Sequence, residues 1–469
     1  MSIEHNKSNR NISGGKFRYM HIKSHKKSHK SHAKTYKRQP IHGKIVSDHQ
    51  EGWKILHVYG EPYQRGFAHG YLLKRELART KKVLLFLLKH ELNVSYREYI
   101  RTSNRLIKPA VKQRYPELYD EMRGISAGGD ISLDFIVAWN AYMSLYSYYK
   151  DGAVIKCSAF IATGDATKHG DIVMGHNTHC DFACGQLQNI VMYVFPSQGS
   201  SFVMQTAPGY VCSGTDWFIC STGIIGCETT ISGINYKPVF GDPYFCRIRH
   251  AMQYGKTLDD YDTIMTTRNA GDYAGSWQFG DVNTGEIMLF EIALKEKNVK
   301  RTKNGVFFGT NSAMGENIRK KETTDIDHEN ITTSVGARYH RFRELVGNGS
   351  ETRVGKYYGK ITAENAKTIL ADHHDPYMKR EQLGMRGICK HVESSDEHCN
   401  RPPHSLFGCV DAKTTNSEMA RRLAFNGRFG SACGRVFSIR EHIKKYPDFK
   451  EWESVVDDIP SHKWCKIDL

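Results

Sequence analysis

The chain has 469 residues, of which 39% are apolar, and a formal net charge of +16. That apolar content supports a sizeable core, and the length, though large for one domain, is within the reach of sandwich-type folds. No run approaches the roughly 18 apolar residues of a membrane-spanning helix, and no N-terminal stretch reads as a signal peptide. The twelve cysteines show no paired Cys-x-x-Cys framework and support no disulfide scaffold.

Much of the positive charge is local. Residues 1–43, with the His/Lys-rich stretch His21 to Arg38 at their centre, have almost no apolar periodicity and read as a disordered, solvated basic tail. The charge suits peripheral contact with nucleic acid or an anionic membrane, and the histidines suit adventitious metal. Residues 44–156 read as a mainly helical N-terminal part. Trp53 to Tyr59 alternates like a strand, Gly60 to Gly70 supplies turns, and Leu72 to about Leu92 carries apolar residues at helical spacing. Further helices are expected at Tyr115–Ser126, stopping at Gly128-Gly129, and at Asp130–Tyr149, whose tyrosines read as a core face.

The stretch with most chemistry follows. Val154 to Gly164 is an apolar, β-branched run carrying Cys157, a turn lies at Lys168–Gly170, and a second run ends at Gly175-His176-Asn177-Thr178-His179. With both ends on one rim, the thiol lies near imidazoles and an amide, a setting in which cysteine acts as a nucleophile. The segment Thr206 to Ile231 reads as strands broken by glycines. Cys212, Cys220 and Cys227 within it are expected to be buried thiols, because no metal-ligand spacing surrounds them. Arg268 to Glu291 reads as turn, strand, tight turn and strand. Thr362 caps a helix that runs towards Asp372-His373. Cys389 and His391, with His398 and Cys399, suggest zinc by composition, but their spacing fits no common zinc knuckle, and neither metal nor cofactor is expected. Residues 441–469 read as a helical and irregular tail.

Cys157-Ser-Ala-Phe160 followed by Gly175 to His179 resembles the opening of the catalytic chain in phospholipase B-like proteins. It is also similar to the penicillin acyltransferase-type autoproteolytic family, and both are N-terminal-nucleophile hydrolases. The resemblance runs from about residue 53 to about residue 415. It takes in Gly60-x-Pro62-Tyr63-x-Arg65-Gly66-x-x-His69-Gly70, Asp216-Trp217-Phe218, the Thr229-Thr230 strand, Phe307 to Asn311, Ser334 to Arg338, Ile388 to His391 and Gly408 to Lys413.

The resemblance implies an α+β fold, the four-layer α/β/β/α sandwich with two mixed, mainly antiparallel sheets, here over residues 157–440. It implies self-cleavage of the Lys156–Cys157 bond, with Cys157 then supplying both a thiol and an α-amine whose ordinary pKa near 8 suits a base at neutral pH. By the same resemblance His176, Asn177, Asp216 and Asn311 belong to the catalytic set, and Thr229, Trp277 and Arg338 to substrate binding, with Arg338 alternatively a surface ion pair. The oxyanion donor stays open between Asn177, Asn269 and Asn311. Ser312 stands where the acyltransferase-type pattern has histidine, and His179 where the two families have Trp or Asp. The implied activity is removal of acyl groups from lipids through a thioester. Amide hydrolysis or acyl transfer is the alternative, and an inactive basic binding protein the contrasting class; a zinc protein comes last.

Overall fold

The computed structural model describes residues 40–150, 156–324, 327–347, 355–397 and 401–469. The basic tail up to residue 39, Val154, Ile155, His398 and Cys399 lie outside the described residues. Residues 41–469 form one unit.

The N-terminal part is not wholly helical. Strands β1 (Gly43–Gln50) and β2 (Trp53–Gly60) make a hairpin whose two turn residues, Glu51 and Gly52, both have positive φ, at 49° and 85°. Such a two-residue turn matches the twist of the strands it joins. The stretch expected as turns, Gly60 to Gly70, is instead mostly helix α1 (Pro62–Leu72). Its glycines answer to packing: a Cβ on Gly66 would lie 2.0 Å from the carbonyl oxygen of Glu121, and one on Gly70 2.2 Å from that of Ile125. Those carbonyls belong to α5 (Pro116–Gly129), where a Cβ on Gly124 or Gly128 would meet α1 as closely, at 2.2 and 2.1 Å. Glycine spacing that reads as turn chemistry is here a seam between two helix backbones.

Between them run α2 (Lys74–Leu87), α3 (Tyr96–Leu106) and α4 (Lys108–Arg114). The expected helix over 130–149 is two, α6 (Leu133–Asn140) and α7 (Tyr142–Tyr149), divided at Ala141. Tyr142 and Tyr146 are buried, as a core face requires.

The remaining strands are β3 (Lys156–Gly164), β4 (Gly170–Asp181), β5 (Ile190–Pro196), β6 (Phe202–Thr206), β7 (Trp217–Cys220), β8 (Ile224–Thr230), β9 (Gly275–Asp281), β10 (Glu286–Ile292), β11 (Lys297–Thr302), β12 (Gly305–Gly309), the two-residue strands β13 (His374–Asp375) and β14 (Arg380–Glu381), β15 (Phe407–Asn416), β16 (Phe425–Phe429) and β17 (Cys465–Ile467). Among the described residues, the first large sheet runs β1-β2-β5-β6-β7-β8-β9-β10-β11 and the second β12-β3-β4-β15-β16-β17. Every neighbouring pair is antiparallel except β2 with β5. The N-terminal part therefore contributes edge strands to the first sheet, and β17 adds a strand to the second beyond the expected boundary at residue 440.

Three apolar clusters hold these elements. One lies between the sheets, with Ile55, Val191, Tyr193 and Ile219 from the first and Ala159, Ile161, Met174 and Phe425 from the second. A larger one joins the first sheet to the N-terminal helices, to the short α8 (Phe182–Gly185) and to α9 (Tyr244–Tyr254) and α10 (Leu258–Thr266). A third sets the other face of the second sheet, through Phe160, Val173 and Phe308, against α12 (Ser334–Val346), which follows α11 (Glu316–Glu322) in the chain, and α13 (Ala363–Leu370). Each Ile, Leu or Phe buried in this way contributes about 1.5–3 kcal/mol.

Candidate functional site

The site is built on the first residues of β3. In its register with β4, Cys157 faces Thr178, Ser158 faces Asn177 and Ala159 faces His176. Side chains alternate across a strand, so Cys157, Ala159, His176 and Thr178 share the face turned to the first sheet, and Ser158, Asn177 and His179 share the other. β15 continues the inner face by setting Asp411 beside Thr178 and Lys413 beside His176. The alternation corrects part of the expected constellation. Asn177 donates to the carbonyls of Leu370 (2.7 Å) and Ile388 (3.2 Å), and His179 Nε2 lies 3.1 Å from the Ile388 carbonyl. Both are therefore turned to the helical layer, away from the thiol.

Two side chains grip the backbone of Cys157. Its N–H donates to Asn311 Oδ1 at 3.2 Å, and its carbonyl accepts from the Arg338 guanidinium at 2.6 Å. Asn311 follows the end of β12 with φ at +78°, a conformation non-glycine residues seldom adopt, and its amide nitrogen donates to the Thr230 carbonyl at 2.9 Å. Arg338 comes from α12 and is fully buried, so the surface alternative is excluded. It also donates to Ser158 Oγ (3.1 Å), the carbonyls of Thr310 (2.8 Å) and Ser334 (2.9 Å), and Asn311 Oδ1 (2.9 Å). Burial lowers its pKa to about 9.

A cluster of acids and phenols adjoins the thiol. Asp216, at φ +57°, accepts from Tyr244 (3.3 Å) and Tyr273 (3.0 Å), and the Tyr273 hydroxyl also reaches Glu228 at 2.9 Å. Burial raises both carboxyls; the charge on Asp216 raises Glu228 further, while hydrogen bonds with Tyr273, Tyr244 and Glu228 oppose the rise in Asp216, and at neutral pH the pair retains a proton. Burial likewise raises the Cys157 thiol well above its usual range; Glu228 and Asp216 add to this and Lys413 opposes it. His176 Nε2 lies 3.0 Å from the Glu228 carbonyl. A carbonyl can only accept, so the ring proton sits on Nε2, and Nδ1, which has no partner, keeps its lone pair. Burial holds this imidazole neutral. Lys413, fully buried, donates to Thr178 (2.9 Å) and Gln205 (2.7 Å) and pairs with Asp411.

Cys157, His176, Asp216, Asn311 and Arg338 thus belong to one buried region. Thr229 and Trp277 do not converge. Thr229 is turned to β12, where a Cβ on Gly309 would meet its hydroxyl at 2.2 Å, whereas Trp277 stacks on Phe279 at 5.3 Å in the core under the helices. The register explains the split, because Trp277 pairs with Glu228 and Thr229 with Ser276. Asn269 donates to the carbonyls of Ala293 and Leu294 and does not bond to Cys157. Sequence reasoning missed the roles of Glu228, Tyr273 and Lys413. Glu228 and Lys413 stood inside motifs already singled out, but only strand pairing brings them to the thiol. Lys156 borders a cavity of about 770 Å³ with a mixed lining, apolar at Tyr146, Val392, Leu406 and Trp452 and charged at Lys390, Lys150 and Arg401, the last two paired with Glu91.

No protein-family profile matches the chain. An uncharacterized protein of Archaeoglobus fulgidus is 25% identical over 236 residues, covering 46% of this chain and 39% of that protein. A Caenorhabditis elegans protein named phospholipase B-like 2 is 22% identical over 361 residues, covering 66% of this chain and 58% of that protein. The chain thus spans 39% and 58% of the length of these two relatives. Among solved structures, a cysteine-to-alanine mutant of the conjugated bile acid hydrolase from Clostridium perfringens is 12% identical, covers 58% of this chain and 89% of its own, and superposes with a TM-score of 0.29. The weak homology to a phospholipase B-like protein falls on one of the two families that the motif order resembles.

Proposed function

We propose that this chain is an acyl hydrolase of the N-terminal-nucleophile type, with Cys157 as nucleophile once the Lys156–Cys157 bond is cut. The observation that carries this reading is the double grip on the backbone of Cys157: Asn311 on its N–H, in the Lys156–Cys157 peptide, and Arg338 on its carbonyl, in the next one, beside carboxyls of raised pKa. Burying a guanidinium against backbone and side-chain dipoles alone is costly, and costs of that kind concentrate at functional sites. The succession of helices, sheet, sheet and helices supports the α/β/β/α sandwich of such enzymes, and the weak homology to a phospholipase B-like protein supports the acyl substrate.

In the cut, the thiol sulfur bonds to the carbonyl carbon of Lys156 and the C–N bond to Cys157 breaks. The thiol proton passes, through the ionised member of the Asp216–Glu228 pair, to the departing nitrogen. This frees the α-amine and leaves a thioester, which water hydrolyses to the Lys156 carboxylate and the free thiol. The two pieces remain together, because β2 of the first pairs along its length with β5 of the second. The α-amine then serves as base for its own thiol. Asn311 accepts from that amine, and Arg338, drawing on the Cys157 carbonyl, holds the nucleophile in place. In turnover the sulfur attacks the acyl carbonyl, the alcohol or amine leaves with a proton, and water releases the acid.

An acyl chain suits the apolar part of the cavity beside Lys156, whose Lys150 and Arg401 are paired with Glu91 in the same lining. A thioester serves ester and amide substrates alike, so N-acyl amides are the second substrate class. The test is intact mass and N-terminal sequencing of the purified chain beside Cys157→Ala, followed by acid release from phospholipid vesicles and N-acyl amides. A fragment beginning at Cys157 in the wild type only, with acyl release from phospholipid, is the expected result. An uncut wild type sinks the self-activated mechanism and moves the weight to a basic binding protein.

A further inference from the structure

A second polar cluster lies under the other face of the second sheet and takes no part in the chemistry above. His373, Cys389, His391 and Cys433 each bring one donor atom, and the four atoms lie within 4.8 Å of one another. They come from three stretches of chain: His373 just past α13, Cys389 and His391 in the run leading to β15, and Cys433 in the turn after β16. His391 Nε2 stands 3.3 Å from Cys389 Sγ and 3.5 Å from Cys433 Sγ. A tetrahedral zinc ion, with Zn–S near 2.3 Å and Zn–N of about 2.0–2.1 Å, sets sulfur and nitrogen about 3.5 Å apart.

The surroundings match a metal site better than a set of thiol hydrogen bonds. Nδ1 of His391 lies 2.8 Å from Glu393 Oε1, both groups being buried. The carboxylate draws the ring proton to Nδ1 and leaves the Nε2 lone pair facing the two sulfurs, as a carboxylate behind a ligating histidine does. His373 Nε2 is buried without a hydrogen-bond partner among the described residues. The neighbouring Cys409 is occupied elsewhere, its sulfur accepting from the Ala432 N–H at 3.4 Å.

We propose that His373, Cys389, His391 and Cys433 hold one zinc ion in a closed structural site. Two thiolates and two imidazoles suit zinc and offer nothing to calcium or magnesium, which take oxygen ligands. Four protein ligands leave no open position for substrate. The ion ties the run between α13 and β15, whose described residues hold only β13, β14 and a short 3-10 turn, to the turn after β16. That run carries the Ile388 carbonyl, which receives Asn177 and His179 from the back of β4. The metal thus braces the strand whose front presents His176 and Thr178 beside Cys157, without touching the reacting atoms.

The test uses the full-length chain, produced under reducing conditions without a chelator and assayed for zinc, then exchanged with cobalt. About one zinc per chain is expected, and the cobalt form should show a sulfur-to-cobalt charge-transfer band with tetrahedral ligand-field bands. Residues 1–43 contain no cysteine, so the histidine-rich tail cannot produce the sulfur band. Cys389→Ser with Cys433→Ser should abolish that band and the tightly held zinc. Glu393→Gln, which keeps all four ligands, should weaken zinc binding roughly 10–100-fold. Folded wild type without stoichiometric metal and without the sulfur band, or with a Cys389–Cys433 disulfide in an unreduced peptide map, would overturn the proposal. So would an undiminished sulfur band in a folded double variant.

Discussion

Arg65 and Arg338 are both sealed from solvent, and they are satisfied in opposite ways. Arg65, on α1, donates to Glu121 on α5 at 2.7 Å, and Arg249 on α9 reaches the same carboxylate at 3.2 Å. Burial works against the charge on Glu121, but the two guanidinium groups hold its pKa below the usual value. That is a scaffold: the ion cluster clamps three helices. Among the described residues Arg338 has no carboxylate partner, and its hydrogens go to three carbonyls, one amide oxygen and one hydroxyl around Cys157. A buried cation compensated only by dipoles is expensive, and it sits on the carbonyl of Cys157, in the peptide that follows the bond proposed to be cut. The contrast separates charge used to hold the fold from charge held ready for chemistry.

The comparison can be broken at either end. Glu121→Ala leaves two buried guanidinium groups uncompensated and should cost about 3–5 kcal/mol, read from urea unfolding. Arg338→Met should slow appearance of the Cys157 fragment by about 10²–10³-fold, equivalent to about 3–4 kcal/mol of barrier, while costing less stability than Glu121→Ala. Equal stability losses in the two variants would erase the distinction.

The acid pair sharpens it. Burial pushes Asp216 up from 3.8 to about 7, so the folded chain retains a proton that the unfolded chain has already released. The pair's contribution is fully present below the unfolded value and is lost as pH rises through about 7. Over that range each pH unit changes the stability by about 1.4 kcal/mol. Asp216→Asn removes the titrating carboxyl and should flatten this fall, measured as urea midpoints between about pH 4 and about pH 7; an unchanged slope would show that Asp216 does not carry the pH dependence. The smallest effect is expected for Ser158→Ala, which removes one bond to the Arg338 guanidinium, about 1.5 kcal/mol, and slows processing several-fold.

Much of the strand order along the chain was legible in the residues. The run through Cys157, its turn and the run ending at His179 appear as β3 and β4, and the alternation in β2 and the continuous apolar run of β10 read directly from the residues. The misreadings share a cause. Gly66 and Gly70 look like turn residues until α5 lies against them, and Ala141 divides a helix that periodicity runs straight through. β17 is a three-residue strand that exists only because β16 pairs with it. In each case the deciding partner is remote in sequence.

The same division holds for the site. From its own residues the chain determined a cysteine at the head of a strand, a turn, and a second strand whose side chains must fall alternately on two faces, because the period of an extended chain is two. It could not determine which face meets the first sheet, or what waits there. Asn311 lies 154 residues from Cys157, and Arg338 lies 181. Only the packing of β12 and α12 against β3 brings an amide to the N–H of Cys157 and a guanidinium to its carbonyl. Only the crossing of the two sheets sets Asp216, Glu228 and Lys413 around one thiol, since contacts at that separation are decided by which surfaces bury each other and not by local spacing.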